Sequence, residues 1–221
     1  MAKRHGMSWI VLGVMTSLWL NATPASAGAI LSPVGATASS TFDGNIARTI
    51  DESGLNTLFI SGVTDFDTYI AGNPTHQGPS AANAWSASTS ALPINLDYSL
   101  GASYSIGDLA LWTSFSGFSI NRFSVFTATN AGFVGAANVG SFDANDTNPV
   151  TAQVFGLAPS VGSFLRVQIL SNEGAAFVNL SEIGVEVAPT AAVPEPASLI
   201  LFGTGAAVMA GRRRLRSRSR D

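Results

Sequence analysis

The sequence predicts an all-β fold: a single antiparallel β-sandwich of jelly-roll type, flanked by an N-terminal signal helix and a short C-terminal transmembrane helix. Three observations carry this reading. Apolar and polar residues alternate with period 2 at several places in the middle of the chain. The same stretch is rich in Gly, Ser, Thr, Asn and Phe, with no Lys and few Glu to build helices. Each end carries an uncharged apolar run beside a basic cluster.

Residues 1–27 read as a signal peptide. Lys3, Arg4 and His5 make a basic start, Ser8 to Leu20 is an apolar run of 13 residues, and Pro24 breaks it. Ala25-Ser26-Ala27 then supplies the small-x-small pattern that signal peptidase accepts, with Gly28 as the new N-terminus. At about 1.5 Å per residue such a run reaches only ~20 Å, short of the ~30 Å hydrocarbon core, so a retained anchor is disfavoured.

Residues 28–190 form the sandwich. Ile94, Leu96, Tyr98 and Leu100 alternate with Asn95, Asp97 and Ser99. Leu165, Val167 and Ile169 alternate with Arg166 and Gln168, and Ile183, Val185 and Val187 with Glu182, Gly184 and Glu186. Each run predicts an antiparallel strand with one wet face. Further strands are expected over Ser105–Trp112, Ile120–Thr127 and Thr151–Leu157, with turns at 129–132, 143–148 and 172–174.

Residues 191–221 have three parts in order. Val193-Pro194-Glu195-Pro196 excludes helix and strand ladders. Ala197 to Gly211 is free of charge, and an arginine cluster follows over residues 212–220, led by Arg212, Arg213 and Arg214. Arginines stay cytoplasmic, which leaves the middle of the chain outside. Fifteen helical residues span only ~22 Å, which suits transient membrane contact and processing better than permanent anchoring.

This Pro-Glu-Pro, apolar run and arginine order resembles the PEP-CTERM sorting signal of Gram-negative bacteria. The resemblance implies recognition by an exosortase and removal of the tail near Pro194–Pro196. It also implies anchoring in the inner membrane before processing, and delivery to the cell surface or the extracellular polysaccharide matrix.

The middle of the chain resembles the discoidin-like, galactose-binding-like jelly roll. The resemblance lies in Ala38-Ser39-Ser40, Ile50-Asp51, Trp85-Ser86, Leu96-Asp97 through Leu100-Gly101, and Leu109-Ala110-Leu111-Trp112. It continues in Phe123-Ser124-Val125, Phe164-Leu165-Arg166-Val167 and Leu180-Ser181-Glu182-Ile183. It implies a non-catalytic binding module, and a structural Ca²⁺ held by Asp51 and Glu182. Glu52-Ser53 stands where the family more usually has Gly-Asn, and Glu182 equally fits the wet face of a strand. Some 31 residues, Gly54 to Ala84, separate the Ile-Asp turn from the Trp and predict an enlarged loop on the rim.

Composition narrows the chemistry. There is no cysteine, so disulfides, thiolate metal sites and thiol nucleophiles are absent. The middle holds three arginines against twelve acidic residues, a net charge of −9, which repels nucleic-acid phosphates. His76, alone after signal removal, falls in a turn-rich stretch and reads as a surface-loop residue, with no G-x-S-x-G elbow to serve. Asp65 and Asp67 read as solvated loop carboxylates, and Asp143-x-Asn145-x-Thr147 as a turn, because Asn148 and Val154 replace the Gly and distal Glu of a calcium loop.

Sugar binding rests on aromatic faces. Phe59, Phe66 and Tyr69 in the enlarged loop are the expected ligand-binding residues, with Phe115, Phe118 and Phe133 near other turns, while Trp85 and Trp112 are expected in the core. The sequence therefore points to a non-enzymatic binder of neutral glycan. The alternative is a structural matrix or adhesion protein without a sugar site, and a hydrolase using Asp65/Asp67 or His76 is a third reading.

Overall fold

The computed structural model describes residues 28–78, 80–113, 116–145 and 150–189. The signal segment, the whole tail from Thr190 and Phe115 lie outside the described residues.

The chain opens with β1 (Ala29–Leu31), β2 (Gly35–Ala38), the two-residue β3 (Asp43–Gly44) and a 3-10 turn over Ile46–Ile50. A helix, α1 (Phe66–Ala71), precedes β4 (Trp85–Ser88). Then come β5 (Ile94–Trp112), β6 (Ile120–Ala128), β7 (Ala137–Asp143), β8 (Gln153–Phe155), β9 (Ser160–Asn172), β10 (Phe177–Leu180) and β11 (Glu182–Pro189). All strand pairs are antiparallel. The large sheet runs β1-β11-β5-β9-β6-β7, with β2 and β8 also on β5, and a small sheet runs β10-β4-β3.

The organising element is β5. Two strands are expected there, but the segment is one 19-residue strand that bends, its register shifting between Ser99 and Tyr104 around Gly101 at φ +82°. Its first half pairs with β2 and β9, and its second half with β11 and β8. The bend lets one strand serve both layers of the sandwich.

Between the layers the period-2 residues meet as expected. Leu96, Tyr98, Leu109, Leu111, Phe123, Val125, Leu165, Val167, Ile183 and Val185 form one core, closed by Trp85, Ala87, Val178 and Leu180 of the small sheet. Trp85 anchors its indole by donating from Nε1 to Thr41 Oγ1 at 3.0 Å.

The second half of β5 is buried on both faces. Leu109 and Leu111 enter the main core, while Ala110 and Trp112 face a second cluster with Ile30, Leu55, Phe59, Phe66 and Tyr69. The segment 55–76 of the insertion is therefore a cover laid over the outer face of the sheet, and not the rim loop that the sequence suggests. Its backbone also hydrogen-bonds the edge strand β1, through Ile30 N to Thr64 O and Gly62 N to Ile30 O. Gly184 of β11 leaves space for the Ile30 side chain, which a Cβ there would meet at 2.7 Å.

β1 runs antiparallel to β11 with Ala29 opposite Val187, so the first and last described residues lie side by side at one end. Glu182, at the start of β11, marks the other end.

Candidate functional site

Two neighbourhoods hold polar groups with chemistry to spare. The first surrounds Glu182. The 3-10 turn is seated on the core by Thr49, fully buried, which donates to Ile46 O (2.7 Å) and lies 3.2 Å from the buried Tyr98 hydroxyl. This seating brings Asp51 and Glu52, at the end of the turn, against the first residue of β11. Glu182 is 0% exposed; its Oε2 accepts the Glu52 N–H at 2.9 Å, and its Oε1 is buried with no hydrogen-bond partner among the described residues. Burial, reinforced by the charges of Asp51 and Glu52, pushes its carboxyl up to about 9.

Asp51 accepts from Ser53 N through Oδ1 and pairs with Arg48 through Oδ2. Glu52 holds a left-handed backbone (φ +59°) while its Oε2 accepts from Phe59 N, locking the cover to the turn. An orphaned buried carboxylate oxygen close to a second carboxylate fits a hard cation, which takes oxygen ligands from side chains and carbonyls alike. Among the described residues no three His, Asp or Glu side chains group as metal ligands, so backbone oxygens would have to complete such a shell.

The aromatic residues expected to bind ligand are not presented to solvent. Phe59, Phe66 and Tyr69 are 7%, 1% and 7% exposed. Phe59 and Tyr69 meet edge to face at 5.1 Å, and Tyr69 Oη donates to Thr57 O at 2.6 Å. The reason is the outward-facing Trp112, whose indole is fully buried beneath these rings and donates from Nε1 to Pro74 O (3.1 Å). Burying four aromatic side chains outweighs leaving three of them wet.

The second neighbourhood lies on the small sheet. Asn179, Ser86 and Asp43 stand in register across β10, β4 and β3, on the face opposite Trp85 and Leu180. With Ser80, Ala81, Ala84 and Trp85 they line a depression of about 140 Å³. Asn179 Oδ1 is buried there without a partner among the described residues. Beside the row, the rings of Phe42 and Phe177 stack at 4.3 Å and 34°, with Phe42 64% exposed. Phe118 reaches the same end, its carbonyl accepting the Asn179 N–H at 2.9 Å.

None of these small-sheet residues stands out in the sequence as a binding residue. The available signal was the Phe177-Val178-Asn179-Leu180 alternation, which puts a phenylalanine on the wet face of a strand.

The remaining candidates have structural places. His76 is 2% exposed, not a surface residue; Nδ1 donates to Gln77 O (2.7 Å), and burial pulls its pKa down. It is packed against Gly54, where even a methyl group would overlap the imidazole. Asp65 caps α1, accepting from Thr68 N at 2.8 Å, and that bonding holds it below the ordinary carboxylate range. Asp67 sits in the first turn of the same helix, where a negative charge suits the exposed N–H groups. Asp143 ends β7 in an exposed pair with Arg122 (3.0 Å); residues 146–148 of the expected turn lie outside the described residues.

The PEP-CTERM protein-sorting motif matches residues 192–214. The chain is thus an antiparallel β-sandwich followed by the C-terminal sorting signal of an exported protein. No curated protein matches the chain. Among solved structures it is similar to the family 32 CBM of C. perfringens NanJ in complex with galactose, at 16% identity and TM-score 0.47, covering 68% of this chain and 91% of that one. A family 32 module from Clostridium perfringens in complex with GalNAc-β-1,3-galactose gives 14% and 0.49, with coverages of 69% and 94%. Chitosan-binding module 2 of a Paenibacillus chitosanase/glucanase, in complex with chitotriose, gives 18% and 0.48, with coverages of 71% and 97%.

Proposed function

We propose that this protein is a non-catalytic binder of neutral glycan, delivered by exosortase sorting to the cell surface or extracellular polysaccharide matrix of a Gram-negative bacterium. Signal peptidase would cut after Ala27. The tail would be recognised through Val193, Pro194, Glu195 and Pro196 and stopped by Arg212, Arg213 and Arg214.

The observation that carries the sugar reading is the register row Asp43–Ser86–Asn179 beside the Phe42–Phe177 ring pair, in which Phe42 is exposed. A pyranose presents an apolar C–H face and a rim of hydroxyls that both donate and accept. The ring pair fits the first and the row fits the second: a carboxylate acceptor, a hydroxyl and a side-chain amide. The acidic body favours neutral over polyanionic chains.

Asp51 and Glu182 would hold a structural calcium ion. Bound there, the ion would supply the positive charge that lets Glu182 ionise. The chain's own part is to bring the turn, the cover and β11 to one point.

Glycan-array binding by the exported protein, with and without EDTA, tests the reading. Binding to neutral glycans that falls at least tenfold in Phe42→Ala supports it, and silence across all neutral glycans removes it. The exposed Leu58, Ile60 and Val63 of the cover favour a second reading, adhesion to protein without a sugar site. That reading predicts array silence together with retention of the protein by matrix protein.

A further inference from the structure

The outer face of the large sheet carries a depression of about 430 Å³ lined by Phe126, Phe133, Gly135, Ala136, Arg166 and Gln168. It is remote from the small-sheet end: Ser119, which bridges Asn179, is seven residues along the chain from Phe126, or ~23 Å of extended strand. Asp97, Arg166, Phe126 and Asn138 stand side by side in one row across β5, β9, β6 and β7.

The polar groups here are fixed before any ligand arrives. Arg166 grips Asp97 with a two-pronged fork, Nε to Oδ1 at 2.6 Å and Nη2 to Oδ2 at 2.8 Å. The fork cancels the charge and sets the plane of the guanidinium, while Nη1 takes no part in it. Gln168 donates from Nε2 to Asn95 Oδ1 at 3.0 Å, a bond that does not use its Oε1. A planar donor and a planar acceptor thus stand two residues apart on the same face of β9.

The aromatic part is held with equal care. Phe133 lies over the Arg166 guanidinium at 4.1 Å, on a left-handed backbone (φ +54°) that a phenylalanine rarely adopts. Asn130 clamps that conformation: its Nδ2 donates to Val134 O, its Oδ1 accepts from Val134 N, and its carbonyl accepts from Phe133 N.

We propose that this depression is a second saccharide site, so that one chain binds two neutral glycan chains. The inference rests on the glycan reading above and extends it to another face. The occupant follows from the chemistry of the lining. The acidic body repels polyanions, and an apolar group seated there would leave the pinned donor and acceptor without partners. A sugar hydroxyl serves both, and its C–H face covers the rings at 126 and 133. Two sites on one rigid body link glycan chains to each other, and tether one chain through the other at high effective concentration.

The full-length chain in detergent micelles is titrated with the hexasaccharides of β-1,4-linked glucose, mannose and galactose, and bound ligand per protein is counted by native mass spectrometry and calorimetry. Two sugars per chain are expected for at least one hexasaccharide, falling to one in Phe133→Gly and to one in Phe42→Ala. Glycine suits the left-handed backbone, so the first variant removes the ring without straining the loop; Gln168→Leu is expected to give the same loss. One sugar per chain, unchanged in Phe133→Gly and lost in Phe42→Ala, overturns the sheet-face site and leaves the small-sheet site standing. One sugar lost only in Phe133→Gly keeps the sheet-face site and refutes the other. No binding of any hexasaccharide overturns both.

Discussion

Glu182 accepts the backbone N–H of Glu52 across 130 residues of sequence, at 2.9 Å and out of reach of water. That bond joins the turn at Asp51 to the first residue of the last strand, and it places a carboxyl where only a proton or a cation can satisfy its second oxygen.

The metal-free protein is accordingly expected to weaken with alkali. The Glu182 pKa stands above its unfolded value of 4.5, at about 9, so its stabilising contribution is complete below ~4.5 and is lost as pH rises through ~9. In EDTA, Tm should fall between pH 7 and pH 9, above the range in which the depressed His76 titrates. Calcium should restore it, and more so at the higher pH. Glu182→Gln should abolish both the slope and the calcium response. A calcium response that survives this substitution would refute the site.

Trp112→Ala is expected to cost about 3–5 kcal/mol in denaturant unfolding, and Phe66→Ala a comparable amount, because each empties the cluster under the cover. Neither should alter the number of sugars bound by the folded protein. A loss of binding with unchanged stability would instead return these rings to a ligand role.

Gly54→Ala is expected to destabilise by about 1–3 kcal/mol, since a methyl group there overlaps the buried His76 ring. Gly54→Ala combined with His76→Ala should recover part of that loss, and equilibrium unfolding of the single and double variants measures it.

Phe42→Ala should leave unfolding within about 0.5 kcal/mol of the parent, because the ring is mostly exposed. It should nevertheless weaken glycan capture at least tenfold. A large drop in Tm would mean that the ring pair is packing alone.

Much of the body was legible because alternation reports a face. Ile94 to Leu100, Leu165 to Ile169 and Ile183 to Val187 point inward as their period demands. Leu109-Ala110-Leu111-Trp112 was harder, since burial on both faces erases alternation, and the sequence does not say that a remote segment covers Trp112. For the same reason Phe59, Phe66 and Tyr69 read as wet rings: aromatic side chains in a turn-rich insertion look alike whether they meet water or a hidden indole. The small-sheet row was invisible for a different reason. Asp43, Ser86 and Asn179 come from three distant strands, and only their register makes them neighbours.

The pairing of β1 with β11 fixes which way the molecule looks. Gly28 and Pro189 emerge together at one pole, while Asn179 and its row sit near Glu182 at the other, eight strand residues or ~26 Å away. A tail held in the lipid past Pro189 would moor the protein by its base and leave the Phe42 pole facing the surroundings. Severing the mooring would then free the protein without disturbing the pole that carries the proposed glycan site.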